Sequence, residues 1–190
     1  MPDMARDGDQ GHSRGESREG FVLMRVGGLT LDPVTKTPIV VLKDDSENLN
    51  LPIWVGLLEA TSMATELEGV KMARPMTHDL LRDMLSQFGA QVESIEVTEL
   101  KENTFYAVIH LSLNGQTVSI DSRPSDAISL ALRTKSPIYV ARAVLEASSV
   151  LSEGGDDESA APDRDLSDMT PEEWEQVLEK LDPDDFKYKM

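Results

Sequence analysis

The sequence predicts an α+β fold built from antiparallel hairpins with helices packed on the sheet. Three observations lead there. Residues 104–113 alternate apolar and polar, Asn114-Gly115 supplies a two-residue turn, and residues 116–121 return with Val118 and Ile120 in step. Directly after them Pro124 fits a first helical position and Asp126 a third, which marks a helix start. Finally, sliding the chain over itself by 67 positions aligns residues 37–68 with 104–135 without a gap. Thr37/Thr104, Val41/Val108, Ile53/Ile120, Ala60/Ala127, Ser62/Ser129 and Ala64/Ala131 are then identical. The expected unit is an internally duplicated set of three strands and two helices, residues 22–88 and 91–148, related by a pseudo-twofold axis.

Each element has a local reason. Residues 22–31 and 91–100 are strand-like runs that open the two copies. In the first copy residues 38–42 and 49–55 flank a turn near 46–48, and Gly56 introduces a helix to about residue 68. Thr77 is a natural N-cap for the next helix, with Leu80, Leu81, Met84, Leu85 and Phe88 as its apolar face and Gly89 as its stop. In the second copy a two-residue turn pairs Leu111 with Val118 and Ile109 with Ile120, which keeps both apolar sets on one face. A helix from Pro124 runs to about residue 134, a short extended stretch covers 138–140, and a last helix lies near 142–148.

The ends differ from the middle. Residues 1–20 are rich in Gly, Ser, Asp and Arg without apolar periodicity, and are expected to be a disordered tail before a domain at 21–150. Residues 151–165 read as an acidic linker, and 166–190 as a C-terminal helix with an acidic tail. That helix, 166–181, has Thr170 and Pro171 at its start and Trp174, Val177, Leu178 and Leu181 on one face. Such a stripe docks on its own domain or on a protein partner.

Composition narrows the chemistry. The chain of 190 residues has no cysteine, which excludes disulfides, thiolate metal sites and cysteine nucleophiles. No apolar run reaches the ~18 residues of a membrane helix, and the N-terminal stretch has no apolar core of a secretory signal, so a cytoplasmic protein is expected. Of the net charge of −17, residues 151–190 carry −10, with 14 acidic against 4 basic residues. Residues 21–150 carry only −5, so the domain offers no broad basic stripe.

The candidate residues cluster at helix starts. Glu59 and Asp126 hold equivalent third positions, where a carboxylate caps free N–H groups; as a pair they are also able to hold a divalent cation such as Mg2+ or polarise a water. Arg74 and Thr77 open a helix whose free N–H groups suit a phosphate, and His78 beside them is a candidate acid or base. Asp121, Ser122, Arg123, Ser125 and Asp126 form the densest polar run, with Arg123 as a phosphate clamp, Ser125 as a donor and Asp121 as an acceptor. The matching run of the first copy, residues 54–59, has lost its polarity, so a centre in the second copy is expected. The plainer alternatives are a turn rigidified by Pro124 and a solvated His78. His110 opposes Ser119 and is expected as a solvated sheet residue, and Trp54 as a packing residue with base stacking as its alternative.

Several of these runs carry a family resemblance. Met24-Arg25-Val26-Gly27-Gly28-Leu29-Thr30-Leu31-Asp32-Pro33, Leu51-Pro52-Ile53-Trp54-Val55-Gly56 with Glu59-Ala60, Arg74-Pro75-Met76-Thr77-His78-Asp79-Leu80, and Ser122-Arg123-Pro124-Ser125-Asp126-Ala127 with Ala131-Leu132-Arg133 resemble the bifunctional nuclease (BFN) domain family, in order, over about residues 21–150. The resemblance implies an α+β domain and nuclease activity on DNA and RNA. It assigns no catalytic residues. Taking that activity with the residues above gives the phosphate to Arg123 and Arg74, the metal or water to Asp121, Asp126 and Glu59, and the proton to His78. The metal itself is left unknown. Nucleic acid is the expected partner, no membrane is, and a homo-oligomer is possible. The competing expectations are a non-catalytic regulatory module that binds nucleic acid or protein, and a site for a small anionic metabolite.

Overall fold

A computed structural model describes residues 18–153 of the chain. The expectations for residues 1–17 and 154–190, including the 166–181 helix, lie outside the described residues. Within them the elements follow the order β1 (Phe21–Leu31), β2 (Pro38–Asp44), β3 (Asn50–Trp54), α1 (Leu57–Leu67), α2 (Thr77–Gln87), β4 (Ala90–Lys101), β5 (Thr104–Leu113), β6 (Gln116–Ser122), α3 (Pro124–Thr134), β7 (Ile138–Ala141) and α4 (Arg142–Glu153). The fold is α+β: one mixed seven-stranded sheet with four helices packed on it. Its strand order is β3-β2-β1-β7-β4-β5-β6. Residues 37–68 and 104–135 run through the same succession of strand, turn, strand and helix.

Two antiparallel meanders form the wings, and β7 joins them. It runs antiparallel to β1 through Phe21↔Ala141 to Met24↔Ile138, and parallel to β4 through Ile95↔Ile138 to Val97↔Val140. The expected hairpin register holds, with Leu111 opposite Val118 and Ile109 opposite Ile120. Asn114 and Gly115 both take positive φ, 53° and 76°, which matches the twist of the flanking strands. A second such turn lies at Glu102 and Asn103, at 50° and 59°. It carries no glycine, so the sequence pattern does not announce it.

The core sits between the helices and one face of the sheet. Strand residues Val40, Leu42, Leu51, Ile95, Val97 and Ala107 pack against Ala60 and Met63 of α1 and Ile128, Leu130 and Ala131 of α3, all buried. Period-two burial in the strands and period-3.6 burial in the helices produce this single layer of contact.

Several expectations need correction. Arg18, placed in the tail by the sequence reading, is held on the sheet: it pairs with Glu96 and lies over the Tyr139 ring, 4.9 Å from its centroid. Residues 151–153, expected to open a linker, continue α4. The N-cap of α2 is Met76, and Thr77 is the first helical residue, because Asp79 already accepts the Met76 N–H at 2.9 Å. The expected apolar face of α2 is largely uncovered, with Leu80, Leu81, Met84 and Phe88 exposed, since His78 takes the position that faces α3. Val118 and Ile120 are exposed as well, because β6 is an edge strand. Trp54 does not pack. It is 53% exposed at the end of edge strand β3, and its Nε1–H donates to Asp32 at 3.2 Å.

Candidate functional site

Helices α1 and α3 start in the same way. Gly56 and Arg123 are extended N-caps, with ψ of 157° and 144°, and each is followed three residues later by an acid, Glu59 or Asp126. Pro124 presets the first helical φ of α3 and needs no hydrogen bond there. The two helices pack side by side, and their acids meet at one guanidinium. Arg123 donates from Nε and Nη2 to the two oxygens of Asp126, at 2.7 and 2.9 Å, and from Nη1 to Glu59 at 3.0 Å. A planar fork satisfied by two carboxylates fixes geometry in a way a lysine cannot.

The backbone makes room for Glu59. A Cβ at residue 56 would meet the Glu59 carboxylate, so glycine leaves that carboxylate room where it stands, and a larger residue would make it shift. Glu59 thus reaches Arg123 although residues 54–58 before it carry no charge. The polar group draws on both helix starts, with most of its side chains from the 121–126 stretch that the sequence favours. Arg123, expected as a phosphate clamp, is held by both acids, although half of its side-chain surface stays exposed.

His78 joins this group from α2. Its Nε2 lies 3.2 Å from Asp126 Oδ1 and its Nδ1 lies 3.0 Å from Ser62 Oγ. A neutral ring donating from Nε2 to Asp126 and accepting from the Ser62 hydroxyl satisfies both contacts. His78 is buried, not solvated, and Ser62 is only 3% exposed. A serine, a histidine and an aspartate thus stand in line, but the hydroxyl is sealed from solvent and cannot reach a substrate. The line positions Asp126.

The electrostatics follow from the contacts. Hydrogen bonding to Asp126 holds the Arg123 guanidinium well above its ordinary range, against its partial burial, with Glu59 adding to the effect. Burial pushes the Asp126 carboxyl up, but the bonds from Arg123 and His78 outweigh it and leave the group below its ordinary value. Both therefore stay charged through the neutral range.

On the other side of the first turn of α2 lies a second polar link. Arg133 is enclosed, with 1% of its side chain exposed; its Nε donates to Asp79 at 2.7 Å, Nη1 to the Ser129 carbonyl and Nη2 to the Ser62 carbonyl, both at 3.0 Å. One guanidinium thereby ties α1, α2 and α3 together. The sequence reading missed Arg133 and Ser62. A signal existed: Glu59, Ser62 and Glu66 on α1, and Asp126, Ser129 and Arg133 on α3, each follow i, i+3, i+7 spacing. A polar stripe of that spacing inside otherwise apolar helices marks a seam between helices.

The remaining candidates fall elsewhere. Asp121 is exposed on β6 and makes no ion pair or side-chain hydrogen bond among the described residues. Ser125 is buried behind the helix start. Arg74 and the exposed Thr77 do not join the Arg123 contacts, and Arg74 lines a cleft of about 330 Å³ with Lys71, Arg82 and Arg133. His110 bonds Ser119 at 3.0 Å as the register predicts, and its Nε2 lies 3.1 Å from Glu96, so it is held at the sheet and not freely solvated. Of the proposed set, the structure brings together Glu59, Arg123, Asp126 and His78. Among the described residues no three His, Cys, Asp or Glu side chains are grouped to hold a metal. Glu59 and Asp126, the natural donors for a divalent cation, are engaged with Arg123, so this pair does not fit such an ion as it stands.

Comparison with known proteins places this geometry. Residues 40–153 match the bifunctional nuclease domain. An uncharacterized protein of Mycobacterium tuberculosis is 35% identical over 164 residues, 86% of this chain and 97% of its own length. Bifunctional nuclease 1 of Arabidopsis thaliana is 36% identical over 107 residues, 54% of this chain and 33% of the plant protein. Bifunctional nuclease 1 of Oryza sativa subsp. japonica is 29% identical over 142 residues, 66% of this chain and 43% of the plant protein. The chain thus spans less than half the length of these plant relatives.

Proposed function

Because the chain belongs to the bifunctional nuclease domain family, we propose that it hydrolyses phosphodiester bonds of DNA and RNA at the Glu59–Arg123–Asp126 centre. The observation that carries this reading is the convergence of two acids, from two helix starts, on one half-exposed arginine. Hydrolysis needs charge stabilisation at the phosphoryl oxygens and an activated water. Arg123, whose side chain is half exposed, meets the phosphoryl group with its guanidinium charge. A carboxylate loosened from it as the phosphate binds takes a proton from the attacking water while that oxygen bonds to phosphorus, and the ester oxygen that departs as its P–O bond breaks takes a proton from solvent. His78 holds Asp126 through Nε2 and is itself held by Ser62, so it acts as a positioning residue and not as the proton donor that the sequence suggests. Arg74, Thr77, Ser125 and Asp121 have no part in this step. No divalent cation enters it either.

The test is a nuclease assay on highly purified full-length protein with single-stranded DNA and RNA, with and without EDTA. Arg123→Ala and Asp126→Ala are run beside it. Cleavage that both substitutions abolish supports the centre. Cleavage unaltered by both places the chemistry elsewhere.

A second reading, a non-catalytic module that binds nucleic acid or protein, is favoured by one observation. Both acids already bond the arginine, and the three side chains together leave an excess of one negative charge, which disfavours a phosphate at the centre. On this reading the purified protein binds a labelled strand and leaves it intact.

A further inference from the structure

The cleft beside α2 is unexplained by either reading. It measures about 330 Å³, within the range of small-molecule sites, and is walled by the loop between α1 and α2. Four cationic side chains line it, Lys71, Arg74, Arg82 and Arg133, against two acids, Glu66 and Asp79. Asp79 is committed to Arg133, and Arg82 is engaged by Asp83 at 2.8 Å. Lys71 and Arg74 are exposed and make no ion pair or side-chain hydrogen bond among the described residues.

The floor is the informative part. Arg133 is enclosed, and its three bonds reach Asp79, Ser129 and Ser62. Each of its three nitrogens has an acceptor, so Arg133 acts on the cleft by its enclosed charge, which favours an anion above it. Above the floor, Arg74 and Lys71 give the anion two donors. Glu66 is the remaining acid of the cleft, suited to accept from a sugar hydroxyl. Val70, Met72 and Pro75 supply an apolar wall of the kind that receives a flat ring.

We propose that this cleft binds a phosphomonoester of nucleoside-monophosphate size, its phosphoryl group held by Arg74 and Lys71 over the enclosed charge of Arg133. The site is separate from the Glu59–Arg123–Asp126 centre and does not require that centre to be catalytic.

Calorimetric titration of the full-length protein decides the matter, with adenosine 5′-monophosphate, inorganic phosphate and adenosine as probes. The nucleotide is expected to bind, inorganic phosphate to compete with it, and adenosine to bind far more weakly. Arg74→Ala should weaken nucleotide binding about tenfold or more, the loss expected for a charge-assisted contact. Lys71→Ala should weaken it less, and Lys101→Ala, outside the cleft, not at all. Adenosine binding as tightly as its monophosphate overturns the proposal. So does an Arg74→Ala protein of unchanged affinity, or an absence of nucleotide binding at millimolar concentration. Arg133 is left intact throughout, because its loss endangers the fold.

Discussion

Glu59 and Asp126 occupy the third positions of two different helices and hold the same guanidinium from opposite sides, at 3.0 Å in one case and 2.7 and 2.9 Å in the other. Neither acid serves only to cap its own helix. Each also positions Arg123, and the arginine in turn screens two carboxylates that would otherwise face each other.

Arg123→Ala should therefore abolish cleavage and also lower stability, by about 1 kcal/mol, since the pair is half exposed and the acids are left opposed. Asp126→Asn should cost a similar amount. A double-mutant cycle by urea unfolding is expected to give a coupling energy of roughly 0.5–3 kcal/mol between them. Strict additivity would show that the ion pair contributes nothing to stability.

Gly56→Ala tests the space that Glu59 needs. The backbone at residue 56 tolerates alanine, with φ of −70°, so any effect arises from the new methyl group striking the carboxylate. Cleavage should fall about as far as in Glu59→Gln, while the melting temperature moves by only a few degrees. Full activity in Gly56→Ala would mean Glu59 is not needed at Arg123.

Ser62→Ala separates positioning from nucleophilic attack. Removing the hydroxyl strands the His78 Nδ1 in a buried setting, at a cost of about 1–3 kcal/mol. Activity per folded molecule should drop only severalfold at low temperature. A total loss with an intact fold would promote Ser62 to a direct chemical role.

The Asp79–Arg133 pair sets the acid limit of stability. Burial pushes the Asp79 carboxyl up, but the Met76 N–H and Arg133 pull it further down, and the net position is below its ordinary value. A carboxylate depressed in the folded state contributes stability that is complete above the unfolded value, about 3.9, and is lost as pH falls through the folded one. Asp126 is depressed too and acts in the same window. Stability measured by denaturant should fall between about pH 5 and pH 2, and Asp79→Asn should flatten that fall. Asp79→Asn also strands the enclosed guanidinium, so about 3–5 kcal/mol should be missing at neutral pH. A profile as steep in Asp79→Asn as in the parent chain would assign the acid limit to other groups.

The acidic C-terminal stretch is expected to oppose nucleic acid. Residues 151–190 carry −10, and like charge acts over about one Debye length, ~8 Å at physiological salt. Cutting after Glu153 spares α4 and removes most of that charge. Affinity for a labelled single strand should rise at low salt, with the gain shrinking as salt is added. Equal affinity of both chains at low salt rules out autoinhibition.

Much of the fold was readable because its signals are local. The Asn114-Gly115 turn fixes a register, and Pro124 with Asp126 fixes a helix start, each within a few residues. What escaped depends on contacts between distant segments. The stripe on α2 looked like a core face, yet the helix turns His78 inward and leaves Leu80 and Phe88 exposed, because its neighbour α3 offers Asp126. Trp54 looked like a packing residue, yet on edge strand β3 it is half exposed among the described residues. The site was half legible for the same reason. Glu59, Arg123, Asp126 and His78 were picked for their residue types at helix starts. Ser62 and Arg133 carry ordinary letters inside helices, and only the seam between α1, α2 and α3 gives them a task.

Among the described residues, the strand that joins the two wings is also the last strand to be made. β7 comprises four residues, Ile138–Ala141, and it is the ladder through which β1 and β4 communicate. During synthesis both meanders are made before it emerges, and until it does β1 and β4 are open edges in addition to β3 and β6; open edges recruit strands from neighbouring chains. A chain cut short before Ile138 is therefore no half-domain with half the activity. It is two unclosed sheets, and the cell has reason to clear such fragments before they stick to one another.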